Sequence, residues 1–153
     1  SSAASDVYKR QELYRASEAG VEIDLIVRGI CCLVPGEEFS RNIRITRIVD
    51  SFLEHARVWY FGNDGNPLVY MGSPDWMRRN LYRRIEAVTP VLDKDLKQEL
   101  IDMLRIQLNA NWKACWVDSQ LNNRFKRNPD EPKRRAQYDF YQYLKNKLPK
   151  RSR

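Results

Sequence analysis

His55 is the only histidine in this 153-residue sequence. Imidazole is the one side chain whose unperturbed pKa lies close to neutrality, so acid, base or nucleophile chemistry near pH 7 has His55 as its first candidate. The residue follows a short amphipathic stretch, Ile48 to Glu54, and stands just ahead of a strand-like run, Val58 to Phe61. A side chain at the mouth of a strand, beside a loop, is well placed to meet a ligand. A hydrogen-bonded structural histidine fits the same pattern. Arg28 is the second candidate. It ends the apolar run Leu25-Ile26-Val27 and precedes Gly29, which permits a backbone turn that other residues resist. An arginine held there can present a planar five-donor fork to phosphate. Pairing with a nearby carboxylate is the structural alternative.

The elements that must position these residues can be read from periodicity. Val21 to Val27 alternates and then becomes wholly apolar, which predicts a core strand beside parallel neighbours. In open α/β sheets ligands gather outside the carboxyl ends of such strands, where Arg28 lies. Asn42 to Val49 is the next strand. Val58–Phe61 and Leu68–Met71 flank Asn63-Asp64-Gly65-Asn66, a strong hairpin signal. Ile85 to Val88 reads as a further strand ended by Pro90, and Lys113 to Val117 as a short one. Asp93 to Leu108 is the clearest helix, capped by Asp93, with Leu96, Leu100, Met103, Leu104 and Leu108 on one face. Helices are also expected over Glu12–Glu18 and Arg135–Leu148, and a loop over Asn122–Glu131. Residues 1–11 read as a linker or remnant, 12–148 as one domain and 149–153 as a basic tail. The order of elements predicts an α/β fold.

Composition narrows the classes. A hydrophobic fraction of 42% with 31% charged residues fits a globular chain with a core. No apolar run reaches the twenty or so residues of a membrane-spanning helix. The first residues do not read as a secretory signal. Three cysteines, two of them the adjacent Cys31 and Cys32, do not make a disulfide framework, and a reduced intracellular setting is expected. With one histidine and no Cys-x-x-Cys pair, a zinc site is not expected. The net charge of +7 favours polyanions: nucleic acid, phosphorylated ligands or an anionic membrane surface. Much of the excess lies beyond Arg124, where a solvated basic tail explains it equally well.

Three blocks carry a specific resemblance: Gly20 to Leu33, Phe52-Leu53-Glu54-His55-Ala56-Arg57-Val58, and Gly72-Ser73-Pro74-Asp75-Trp76-Met77-Arg78-Arg79-Asn80-Leu81. With the ending Ala136 to Leu144, they resemble the C-terminal catalytic domain of bacterial polyphosphate kinase, the type that passes through a phosphohistidine. The resemblance runs from about Glu12 to Leu148. It implies a phospholipase D-like mixed sheet flanked by helices, in which two related halves each supply a histidine. His55 matches the histidine of the second half and is the expected catalytic residue. Arg28 matches an arginine that binds nucleotide phosphate, and Arg84 and Glu86 match positions lining the same site. The His-x-Lys of the superfamily is His55-Ala56-Arg57 here, and its later Gly-Ser pair corresponds to Gly72-Ser73. Pro74 and Tyr82 depart from the usual pattern.

The resemblance implies reversible transfer of the terminal phosphate of ATP to inorganic polyphosphate, with ATP and ADP as substrates. Arg28 and Arg84 would clamp phosphate oxygens, His55 would donate a proton or charged hydrogen bond, and Glu86 would orient an arginine or histidine. Arg57 and Arg79 are further candidates for guiding polyphosphate. The phosphorylated histidine belongs upstream, so this chain is expected to be a partial enzyme, inactive alone, that partners with upstream domains and forms homo-oligomers at full length. Mg2+ is expected in the full enzyme with its ligands outside this chain, and no metal site within it. The resemblance implies a cytoplasmic location, with peripheral association at the inner membrane left open. A polyanion- or nucleic-acid-binding module without catalysis is the alternative, but nucleic-acid motifs are not recognisable and no nucleic acid is expected.

Overall fold

The computed structural model describes residues 6–148, leaving aside the side chains of Arg78 and Arg79. Two sheets carry the chain. The larger is mixed, with strand order β1-β2-β6-β7: β1 (Ile23–Val27) runs parallel to β2 (Ile43–Ile48), and β6 (Ala114–Val117) and β7 (Asn123–Phe125) follow antiparallel. The smaller is an antiparallel meander of β3 (Val58–Phe61), β4 (Leu68–Gly72) and β5 (Val88–Pro90). Helices α1 (Val7–Glu18), α2 (Arg78–Arg83), α3 (Lys94–Asn109) and α4 (Ala136–Lys147) complete the fold. A mixed α/β architecture flanked by helices was expected, and its division into two sheets was not.

The period-2 pattern of β1 and β2 explains the principal core. Val27, Ile43 and Ile45 point to one face, where they join Cys31, Leu33 and Val117, and Leu13 and Tyr14 of α1 close over them. On the opposite face Ile48 packs with Ala110, Ala114 and Ala136, three small residues at which α3, β6 and α4 come together. The parallel pairing of β1 with β2 brings both carboxyl ends to one edge of the sheet, next to Arg28 and the segment that leaves β2.

Several elements depart from the sequence reading. Helix α1 begins at Val7, five residues before the expected start at Glu12, because Asp6 caps it: its buried carboxylate accepts the Lys9 amide at 3.1 Å. Residues 7–11 thus belong to the fold, whereas residues 1–5 and the expected basic tail lie outside the described residues. The strand expected over Ile85–Val88 forms instead as Val88–Pro90, and Arg84 to Ala87 is irregular. The expected loop from Asn122 contains β7, an exposed edge strand too short and polar to show periodicity. Asp93 caps α3 as expected, accepting the amides of Asp95 and Leu96 at 2.9 Å each. Of the apolar face, Met103 is buried as expected but Leu96 is 57% exposed, and Ile101, not assigned to that face, is buried.

Candidate active site

His55 lies in the irregular segment 49–57 that joins β2 to β3 and thereby the two sheets. Apolar burial does not hold this segment: Phe52 and Leu53 are 67% and 72% exposed. Polar contacts fix it instead. The Asp50 carboxylate, with its side chain 2% exposed, receives a two-pronged contact from Arg135, Nη2 to Oδ1 at 2.6 Å and Nε to Oδ2 at 2.8 Å. That guanidinium holds the Asp50 carboxyl below its ordinary pKa. Arg135 also donates to the Ser51 hydroxyl at 2.8 Å. Two residues on, Gln137 accepts the Phe52 amide at 2.9 Å and donates to the Phe52 carbonyl at 2.7 Å. Gln107 of α3 donates to the Glu54 carboxylate at 3.0 Å. The first turn of α4 and the end of α3 therefore hold the backbone that carries His55.

Arg28 reaches the same backbone from β1. Its half-buried guanidinium donates to the Glu54 carbonyl, immediately before His55. Among the described residues it has no carboxylate partner. The His55 side chain is exposed, and its imidazole makes no hydrogen bond among the described residues. The structural alternative for His55, a ring held by hydrogen bonds, finds no support in these contacts. The His55 carbonyl accepts from Arg57 Nη1 at 2.6 Å, while Arg57 Nε pairs with Asp75 at 3.1 Å. With 18% and 15% of their side chains exposed, Arg57 and Asp75 act as a brace across the segment. Arg57, expected to guide polyphosphate, thus has Nε and Nη1 engaged within the fold. The side chain of Arg79 lies outside the described residues.

Gly72 and Ser73 connect this segment to Glu86. The Gly72 amide donates to the Arg57 carbonyl at 3.0 Å. A Cβ at Gly72 would stand 2.7 Å from the Ala87 carbonyl oxygen and 2.9 Å from the Trp59 ring, so the close approach requires glycine. The Ser73 hydroxyl donates to Glu86 Oε2 and accepts the Ala87 amide at 3.1 Å. The Glu86 side chain is 10% exposed and its Oε1 stands 3.4 Å from Arg84 Nε, in a pair whose cation is 66% exposed. A continuous set of contacts therefore runs from Arg28 through Glu54, His55, Arg57, Gly72 and Ser73 to Glu86 and Arg84. The anchors Arg135, Gln137, Gln107, Asp75 and the hydroxyl of Ser73 were not assigned roles from the sequence. The Gly-Ser pair was the one local signal available for them.

This donor set suits anions. An uncompensated guanidinium, an exposed imidazole and a second, outward-facing arginine can receive phosphate oxygens. It does not suit magnesium, which takes several oxygen ligands. Glu86, Glu54 and Asp75 are each engaged by a different partner, and no cluster of three potential metal ligands occurs among the described residues.

The family described as "Polyphosphate kinase C-terminal domain 2" matches residues 5–137. The chain is 50% identical over 135 residues to a polyphosphate kinase of Vibrio parahaemolyticus, covering 88% of this chain and 19% of that protein. It is 46% identical over 135 residues to the polyphosphate kinase of Escherichia coli strain K12, covering 88% and 20%. The crystal structure of polyphosphate kinase from Porphyromonas gingivalis superposes with a TM-score of 0.93 at 59% identity, over 95% of this chain and 22% of that one. The chain thus spans about a fifth of the length of these relatives. The chain belongs to the polyphosphate kinase C-terminal domain 2 family.

Proposed function

We propose that this chain supplies one wall of a phosphoryl-transfer site within a longer polyphosphate kinase, where the terminal phosphate of ATP passes reversibly to inorganic polyphosphate. The observation that carries the reading is Arg28: its guanidinium is held on the carbonyl next to His55 and meets no carboxylate among the described residues. Transfer of a phosphoryl group places charge on its equatorial oxygens, and positioned cations stabilise that charge. Arg28 supplies such a cation. Arg84, steered by Glu86 and exposed beyond it, supplies a second. His55 donates a proton or a charged hydrogen bond to the bridging or leaving oxygen, since its ring is exposed and no group among the described residues claims it. Arg57 acts as a brace for His55. Arg79 remains a candidate for contact with the polyphosphate chain.

The matching half of the site, including the histidine that becomes phosphorylated, is assigned to the rest of the longer polypeptide, as are the ligands of any magnesium ion. The meander sheet supports that assignment: Tyr60, Phe61, Leu68, Met71 and Val88 are 40–53% exposed, an apolar surface suited to burial against further protein.

The test uses His55 as its own reporter, because a single histidine gives a single imidazole signal in nuclear magnetic resonance. Tripolyphosphate added to the 153-residue chain is expected to shift that signal, and Arg28→Met to suppress the shift. A ring signal indifferent to tripolyphosphate and to ATP refutes the reading.

A further inference from the structure

Outside the site just described, a dense run of charge among the described residues lies between Asn122 and Arg135, where six cations stand against the two carboxylates of Asp130 and Glu131. Two of the six are paired: Arg134 with Glu131 at 2.5 Å, and Arg135 with Asp50. Arg124, Lys126, Arg127 and Lys133 form no ion pair among the described residues. Three of these four are held by aromatic rings. Lys126 Nζ lies 3.9 Å from the centre of the Trp116 ring, and Arg127 and Lys133 lie 4.1 and 4.3 Å from that of Trp112. Ring faces attract cations without cancelling their charge, so the cations are ordered but not neutralised. Lys126 is also tied to the backbone, its Nζ donating to the Leu108 carbonyl at 2.6 Å, and burial, with a lesser contribution from Arg134, lowers its pKa.

The position of this strip connects it to the candidate active site. The Lys126 amide donates to the Ala114 carbonyl, and Ala114 pairs with Ile48, the last residue before the segment carrying His55. The amides of Asn111 and Trp112 both donate to the Arg134 carbonyl, and the next residue, Arg135, grips Asp50. The cleft among Trp112, Arg127 and Lys133 measures about 50 Å³, room for a few water molecules and none for a nucleobase. The cations already lie on the tryptophan rings where a base would have to stack. A polyanion made of phosphates alone is therefore favoured over a nucleic acid.

We propose that Arg124, Lys126, Arg127 and Lys133 form a second, extended binding strip for inorganic polyphosphate, which holds the body of the chain while its end lies at His55. The identity of this polyanion rests on the phosphoryl-transfer reading above. In this proposal a short anion such as tripolyphosphate engages the site at His55 alone, and the strip acts on long chains.

The experiment measures binding of long-chain polyphosphate, tripolyphosphate and single-stranded RNA to the full 153-residue chain across a salt series. The Arg127→Gln/Lys133→Gln variant and a separate Arg124→Gln variant are compared with the parent. The double variant is expected to lose about tenfold in long-chain affinity, with its log–log salt slope reduced by roughly 1.4 for two lost contacts. The shift that tripolyphosphate causes at His55 is expected to be unchanged. Arg124→Gln, exposed on an edge strand, should lose part of the long-chain affinity without altering the melting temperature. Three results overturn the strip: unchanged long-chain binding in both variants, an equal loss for tripolyphosphate, or RNA bound more tightly than polyphosphate through the same residues. If tripolyphosphate leaves His55 unmoved while the variants still lose long-chain affinity, the strip stands and the phosphoryl-transfer reading fails.

Discussion

Replacement of Arg135 by alanine tests whether polar contacts alone hold the His55 segment. The Asp50 carboxylate is 2% exposed in its side chain and has Arg135 as its charged partner. Removing the guanidinium leaves that carboxylate, among the described residues, with the Ser51 amide and hydroxyl alone. Breaking a fully buried pair in this way costs about 3–5 kcal/mol; because Arg135 is itself 29% exposed, water screens the pair and the expected cost falls below that range, to about 2 kcal/mol. The sign with pH follows from linkage. The Asp50 pKa is depressed below its ordinary 3.8, so the pair contributes its full stability above that value and loses it as pH falls through the lower, folded-state pKa. In Arg135→Ala the buried carboxylate takes up a proton sooner on acidification, which relieves its unpaired charge. The deficit relative to the parent should therefore be largest near pH 7 and shrink below pH 4. Urea unfolding at pH 7 and at pH 3.5 measures both quantities. Hydrogen exchange should also quicken at Phe52, whose amide is held by Gln137 in the same first turn of α4. A deficit that is the same at both pH values, or below about 0.5 kcal/mol at pH 7, would refute the argument, since surface substitutions alone fall in that range.

Gly72→Ala should destabilise the chain by about 1–3 kcal/mol, because the new Cβ meets the Ala87 carbonyl and the Trp59 ring, and a thermal melt checks it. Asp93→Ala should cost about 1 kcal/mol through loss of the α3 cap, measured by urea unfolding. In a longer polyphosphate kinase carrying this domain, His55→Ala and His55→Gln should both abolish turnover with little change in melting temperature, since glutamine donates a hydrogen bond but does not transfer a proton at neutral pH. Near-normal turnover in the glutamine variant would exclude proton transfer by His55 and leave Arg28 and Arg84 as the electrostatic centre. Labelled ATP should leave no stable label on His55 in the isolated chain, because the phosphorylated histidine is assigned elsewhere.

The elements with strong local signals were legible from the chain alone. Residues 23–27 and 43–48 read as strands because alternate side chains meet a core, Val27, Ile43 and Ile45 on one face and Ile26 and Ile48 on the other, and Asp93 announces a helix because its carboxylate answers two amides that the helix leaves unpaired. The three blocks containing Arg28, His55 and Gly72-Ser73 were likewise visible, and with them the family. Asp6 was hidden by the serine- and alanine-rich start before it, and β7 by being three exposed residues long.

The surroundings of His55 were decided by tertiary structure. Nothing in the order of residues says that Arg135, 85 positions from Asp50, supplies the guanidinium that fixes it, or that Arg28 binds a carbonyl and not a carboxylate. Periodicity records which residues face a core, because burial repeats with the helix or strand. It does not record which polar groups meet across an irregular segment, because those pairings depend on how the two sheets and the helix ends are brought together. The types of residue fixed the chemistry available to this chain, cations and one imidazole. The fold decided which of the cations are paired as braces, as at Arg57 and Arg135, and which meet no carboxylate among the described residues, as at Arg28, Arg124, Lys126, Arg127 and Lys133.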